Sequence, residues 1–529
     1  MAVSVFDKNT LYYGDNLEVL RKHFPPECID LIYLDPPFNS KADYNILFKE
    51  QSGEQSVAQI QAFSDFWHWD KTAEKTYLEL QEDPNLNDMI KFLHAHLGIN
   101  DMMAYLVMMT IRLRELHRIL NRTGSLYLHC DPTASHYLKI ILDKIFGAKN
   151  FRNEIVWQRF NFHADAHRFG RVHDILLFYT KTGDYFWKTQ YGEYKEKYKK
   201  SHFYNIDSSS GRNYRLSDAT AKGQGPPRHF NGKLLEPPAG THWRWSQENI
   251  DRLVAKGVIV FTKTGNPAVK RYLDEVKPAI HSIWADIPSI NSMSKERIGF
   301  ETQKPLKLLE RIIESSCPKD GIVLDPFCGC GTTIMAAQES KVKRKWIGID
   351  VTHLSISLIR ARLKEIHVTV GKDYQIIGEP VDFESAVDLM KVDPSGYQFQ
   401  LWALSLVDAW PAKSVNGKET KKGADKGVDG WITFKEKDSL SLQRIVVQVK
   451  GGTHVGAQHV RDLLGTLEAT KSAMGILLTL YEPTKPMKDA VFEAGYYESP
   501  VWGQKYPRIQ ILTIPELLSG NKPEIPHTH

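Results

Sequence analysis

The chain is 529 residues long, 42% hydrophobic and 25% charged, with a formal net charge of +5 and five cysteines. That length is too great for one ordinary core, so about two to four domains are expected, and the composition is that of a soluble globular protein. Cys28, Cys130, Cys317, Cys328 and Cys330 form neither a disulfide framework nor a zinc-ligand spacing, no run of about 18 apolar residues appears, and the amino terminus lacks a signal-peptide core, so a cytoplasmic location is expected.

From the amino terminus, the first informative stretch is "IDLIYLDPPFNS" at 29–40. Residues 29–34 form a short apolar run bounded by a breaker, which predicts a buried strand with an acid at its carboxyl end. Pro36 and Pro37 fix their own φ and donate no N–H, so the corner is rigid and rich in acceptors. The Asp35 carboxylate and a proline carbonyl match the two donors of an exocyclic amine, and the Phe38 ring can stack on a flat base. Read alone, the same four residues also fit a plain strand-to-turn transition capped by Asp35. Next come "MMAYLVMMTIRLRELHRIL", "GSLYLHCD", "YLKIILDKIF" and "NEIVWQ". This alternation of helix-like and strand-like runs predicts a mostly parallel sheet covered by helices.

Between about 165 and 285 the pattern dissolves into Gly, Pro, Tyr, Trp and Lys, as in "YGEYKEKYKKSHFYNIDSSSGRNYRL". Aromatics interleaved with bases suit a surface that neutralises phosphates and stacks on bases, although a solvated, loop-rich insertion has the same composition. The pI near 8.6 permits a nucleic-acid partner without requiring one. Regular structure resumes at "GIVLDPFCGCGTTIMAAQESKVKRKWIGID", 321–350, which reads as strand, glycine loop, helix and strand. Gly329 and Gly331 permit a tight turn, the helix is expected to begin at Thr332 or Thr333, and Asp350 follows at close to the roughly 20-residue spacing of a ribose-binding acid. A complete G-x-G-x-x-G is absent, which disfavours a dinucleotide fold. Residues 380–398 are polar and poor in apolar residues, and predict a linker to a compact final block.

Taken together, "LDPPF", "FRNEIVWQ", "SIWADIP", "ERIGFETQKP" and "DPFCGCGTT" resemble, in this order, the β-group amino-methyltransferases of DNA, such as the modification subunits of type III restriction systems. The resemblance covers roughly residues 10–370. It implies a Rossmann-like S-adenosylmethionine-dependent methyltransferase sheet: a catalytic part at 1–160, target recognition at 161–285 and a cofactor part at 286–380. By position, Asp35, Pro36, Pro37 and Phe38 would bind the target amine. Asp325, Phe327, Gly329, Gly331, Thr332 and Asp350 would hold S-adenosyl-L-methionine, with Asp15 near its adenine and Lys304 near its methionine end. Phe38 stands where tyrosine is common, and Cys330 where serine is usual. Asp35 favours adenine N6 over cytosine N4, and double-stranded DNA would be the partner, its target base flipped out of the helix. An RNA or protein amine is a rival substrate.

The last block carries a second resemblance. "KKGADKGVDGWITF" followed by "RIVVQVKGG" is similar to the PD-(D/E)XK nuclease core in its Mrr-like form, over about residues 398–515. It implies an α/β restriction-endonuclease-like domain at 398–529, after a linker at 381–397. Asp429 and the carbonyl oxygen of Gln448 would ligate Mg²⁺, and Lys450 would orient the attacking water. Gln448 stands where the wider superfamily has an acid, which removes one charge from the metal site. A single-chain modification and restriction protein is expected. The rival is a methyltransferase whose final block only binds DNA or a partner. No Walker A sequence is present, so ATP-driven translocation would need a separate restriction subunit; a homodimer is the other assembly considered.

Overall fold

The computed structural model describes residues 7–37, 68–160, 165, 167, 169–291, 294, 296–298, 302–393, 395–412, 427–434, 443–500 and 503–526. Five strands open the chain's main sheet: β1 (Asn9–Tyr13), β2 (Ile29–Leu34), β3 (Leu120–Cys130), β4 (Phe151–Gln158) and β5 (His173–Thr180). Four later strands, Ile283–Trp284, Ile322–Asp325, Lys345–Asp350 and Tyr374–Ile377, complete it. Across the sheet the order is Ile283–Trp284, β4, β5, β3, β2, Ile322–Asp325, Lys345–Asp350, β1, Tyr374–Ile377. Only β5 runs antiparallel to its neighbours; the other pairings are parallel. The strands read as continuous apolar runs because helices cover the sheet, and Leu31, Ile32, Leu34, Leu126 and Leu128 have no exposed surface. The long helix Asp101–Ile119, capped by the Asn100 side chain on Met103 N, supplies much of that cover.

The run "HDILLFYT" lies inside the span expected as target recognition, yet β5 is a central, buried strand of the sheet. Its eight residues are bounded by polar loops, and apolar content of this kind marks a sheet core whatever the composition around it. The separate compact unit begins at Thr189 and ends at His281. It holds a four-stranded sheet, a helix at Gln247–Ala255 and a small core of Phe230, Trp243, Ile250, Ile259 and Val269.

The linker expected at 381–397 is not one. Phe383–Val392 is a helix, opened by a capping box in which Asp382 accepts from Ser385 N and the Ser385 hydroxyl accepts from Asp382 N. Ala386 and Leu389 of this helix are buried in the final block's core with Phe399, Trp402 and Ile445. The apolar residues recur at helical spacing, and a polar opposite face hid that stripe. Residues 397–526 build a five-stranded sheet ordered Trp410–Pro411, Gly430–Phe434, Gln443–Lys450, Met474–Thr479, Ile509–Thr513. This block packs in one compact unit with the main sheet. His353 N donates to Gln398 Oε1 at 3.0 Å, and Tyr13 stacks on the His353 ring at 3.7 Å.

Candidate active site

Parallel strands place their carboxyl ends together, and α/β sheets bind ligands there. Four adjacent strands of the main sheet, β2, Ile322–Asp325, Lys345–Asp350 and β1, end at or beside an aspartate: Asp35, Asp325, Asp350 and Asp15. All four line one cleft of about 320 Å³ together with Pro36, Pro37, Phe327, Gly329, Thr332 and Lys304. The two motifs, some 290 residues apart in the chain, are neighbours in space because β2 pairs directly with Ile322–Asp325.

The glycine loop is held from three sides. Asp325 Oδ1 accepts from Phe327 N at 3.1 Å, and Oδ2 accepts from the Thr333 hydroxyl at 2.5 Å. Burial pushes the Asp325 carboxyl up to about 7, and the negative charges of Asp35 and Asp350 act in the same direction. Asp350 Oδ2 accepts from Gly329 N at 2.9 Å, while Oδ1 accepts from Thr352 N and the Thr352 hydroxyl. The Ser355 hydroxyl bears on the same carboxylate, so Asp350 ties the loop to the start of the next helix as well as facing the cleft. Gly331 sits in the left-handed region at φ +77°, and a Cβ there would lie 2.5 Å from Ile359 Cγ1. Its smallness therefore serves the packing of the helix His353–Glu365 as well as the turn. The helix after the loop runs Thr332–Gln338.

Asp15 caps the helix Asn16–His23 through Leu17 N and Glu18 N, and Arg112 donates to its other oxygen at 2.6 Å. Asn16 Nδ2 donates to Pro326 O at 2.8 Å, which ties this turn to the glycine loop. The opposite wall carries Asp35. Lys304 forms an ion pair with Asp35 Oδ2, although position in the motif would put this lysine at the cofactor's methionine end. Asp35 Oδ1 is buried and has no hydrogen-bond partner. An unpaired buried carboxylate oxygen is costly, so its persistence at a cleft marks a place where a donor is to arrive. Phe38 lies outside the described residues.

Sequence reasoning passed over the layer behind Asp35. Tyr33 Oη lies 2.8 Å from His129 Nδ1, and His129 Nε2 lies 3.1 Å from Asp174 Oδ2. Arg159 Nε stands 3.3 Å from Asp174 Oδ1. The run "GSLYLHCD" predicts a strand, but a histidine on a strand shows its partners only after folding. Cys328 and Cys330 are buried, with burial pushing both thiols up, which suits small loop residues.

Residues 29–360 match the family model described as DNA methylase. The chain belongs to that family. Among curated relatives, the chain is 31% identical over 265 residues to the type II methyltransferase M.EcaI of Enterobacter cloacae, covering 49% of this chain and 57% of that one. It is 27% identical over 352 residues to the StyLTI Mod subunit, a type III restriction-modification enzyme of Salmonella typhimurium, covering 63% of this chain and 50% of the relative. The match thus spans about half the length of these relatives. Of solved structures, the PvuII DNA methyltransferase (cytosine-N4-specific) aligns with a TM-score of 0.31 at 14% identity over 67% of this chain and 88% of that one, a likeness too slight to add to the strand order. Residues 412–519 match the model of NACHT-associated inactive restriction endonuclease 1.

In that last domain the three expected residues do come together on adjacent strands. Gln448 and Lys450 lie on Gln443–Lys450, and Asp429 immediately precedes Gly430–Phe434, which pairs with it. One Asp429 oxygen and the Gln448 amide nitrogen are engaged by the domain's own backbone, however. Asp429 Oδ2 accepts from Val449 N at 2.7 Å, and the buried Gln448 amide donates to Gly427 O. Among the described residues no group of three or more His, Cys, Asp or Glu side chains is placed to hold a metal ion, which leaves the expected Mg²⁺ without support.

Proposed function

We propose that the cleft methylates an exocyclic base amine of DNA, adenine N6 in particular, with S-adenosyl-L-methionine as donor. The observation that carries this is the buried, unpartnered Asp35 Oδ1 beside Pro36 and Pro37, facing the same cleft as the glycine loop. The cofactor fits the residues present: Gly329 and Gly331 shape the turn, Asp350 stands at the strand end where its ribose would lie, and Asp15, Phe327 and Thr332 complete the wall. When bound, S-adenosylmethionine supplies an electrophilic methyl group on a sulfonium sulfur. The chain's own task is to make the amine a nucleophile. Asp35 Oδ1 and the Pro36 carbonyl would accept its two N–H bonds and draw the nitrogen lone pair out of conjugation with the ring. The carboxylate then faces the positive charge that develops on nitrogen, where preorganised electrostatics give the largest return. Lys304 would leave Asp35 for the cofactor's carboxylate as the site fills.

Target recognition falls to the unit at 189–281 in this scheme. Its helix Glu196–His202 carries three lysines, Lys197, Lys199 and Lys200, beside stacked rings, with Tyr194 on Tyr198 at 5.0 Å and Tyr198 on His202 at 3.8 Å. For the final domain the better reading is binding to DNA or a partner without cleavage, because Gln448 and Asp429 serve the domain's own backbone.

The test is mass spectrometry of nucleosides from duplex DNA incubated with purified protein and labelled S-adenosylmethionine, with RNA and protein as competing acceptors. N6-methyladenine is the expected product. N4-methylcytosine alone would move the specificity to cytosine, and methylated RNA or protein without methylated DNA would overturn the assignment.

A further inference from the structure

Methylation leaves a proton to dispose of. An amine nitrogen that has gained a methyl group carries one proton too many, and the cleft needs a route for it. Asp35 Oδ1 is the nearest base, but its neighbours, Asp325, Asp350 and Asp15, are all acids at the same strand ends. Behind it stands one imidazole. His129 has no exposed surface, and its Nδ1 lies 4.0 Å from Asp35 Oδ1.

The surroundings fix which nitrogen carries hydrogen. Burial alone would raise the Asp174 carboxyl, but the hydrogen bond from His129 and the positive charges of Arg159 and Lys304 hold it below the usual range, so it is an anion that only accepts. His129 Nε2 therefore carries the proton shared with Asp174. Burial, together with Asp35, Asp325 and Asp174, pushes the Tyr33 phenol well above its ordinary value, so Tyr33 is the donor to Nδ1. Nδ1 thus has a lone pair, covered by a hydroxyl that can turn and accept instead. The Trp157 ring meets His129 edge-on at 5.6 Å and shuts it from solvent on that side.

We propose that His129, held on Asp174, is a positioning residue that takes over from Asp35 the proton shed by the methylated amine. The sequence balances within these groups. The N–H bond of the methylated amine breaks and an O–H bond forms at Asp35 Oδ1, leaving a neutral amine and a carboxylic acid. That O–H bond then breaks and an N–H bond forms at His129 Nδ1, restoring the Asp35 carboxylate and leaving an imidazolium between two carboxylates. An approach of about 1 Å brings Nδ1 and Oδ1 to hydrogen-bond distance. His129 can serve this way only if the cleft methylates an amine, as proposed above.

Among the described residues, the titratable and charged groups that face His129 include Tyr33 and Asp35 from β2 and the corner after it, Asp174 from β5, Arg159 from the loop after β4, and, through Asp35 and Asp174, Lys304. Because His129 must begin neutral, the single-turnover rate of methyl transfer should fall on an acid limb. In His129→Gln that limb should vanish and the plateau drop about ten- to a hundredfold, with cofactor affinity by calorimetry within about twofold. Asp174→Asn, which keeps the shape of the buried pair, should move the limb to lower pH. A limb identical in wild type and both variants overturns the relay. A reading independent of activity comes from the assigned His129 ring signals by NMR: Asp35→Asn should lower their titration midpoint by about half a unit or more, and an unmoved midpoint also overturns it. Wild-type protein that methylates no acceptor would instead bring down the amine-methylating assignment, and the relay with it.

Discussion

The cleft at the end of the main sheet and the Asp429 corner of the final domain both place motif residues side by side, yet they differ in what those residues are doing. In the cleft, Asp35 Oδ1 is buried with no hydrogen-bond partner. In the final domain, the Asp429 carboxylate holds Val449 N and the Gln448 amide holds Gly427 O. A motif residue is available for chemistry where the fold leaves an atom of it unsatisfied, and it is structural where the backbone has already taken it.

The largest effect that can break this contrast is at Asp35. Asp35→Ala should cut methyl transfer by about 10³-fold or more while cofactor affinity by calorimetry changes little. Near wild-type turnover would show that the unpaired oxygen is incidental.

The next largest is pH dependence. The Asp325 carboxyl is pushed up to about 7 in the folded chain, above its unfolded value, so folding favours its protonated form. The stability it lends is fully present below the unfolded value near 3.9 and is lost as pH rises through about 7, by up to about 4 kcal/mol. Thermal melts between pH 5 and 8 should show wild type losing stability with rising pH, and Asp325→Asn should flatten that slope. Equal slopes would remove Asp325 as the source.

A smaller loss is expected at Gly331. Gly331→Ala puts a Cβ at 2.5 Å from Ile359 in a left-handed conformation, and should cost about 2–3 kcal/mol in denaturant unfolding. Ile359→Val should recover part of it in the double variant. No recovery would mean that the turn alone demands the glycine.

The smallest expected effect sharpens the other side. Asp429→Ala should cost about 1–3 kcal/mol of stability by leaving Val449 N without its acceptor, and should leave methyl transfer unchanged. Wild type should leave DNA intact across millimolar Mg²⁺. Metal-dependent nicking lost in Lys450→Ala would restore the nuclease.

What the sequence determined by itself was what local chemistry encodes. The apolar run before Asp35, the strand-like run "GSLYLHCD" and the glycine loop opening a helix at Thr332 all read correctly as elements, since apolar content, breakers and turn residues are local signals. The alternation of helix-like and strand-like runs likewise predicted the mostly parallel sheet. The helix Phe383–Val392 was missed because its buried stripe needs the final domain's core to show which side is inward. Only the tertiary structure decided the pairing of β2 with Ile322–Asp325, the return of β5 to the sheet's centre, and the His129–Asp174 pair behind Asp35. Those facts join residues tens to hundreds of positions apart, and hydrogen-bond satisfaction is a property of such meetings, so no stretch of sequence contains it.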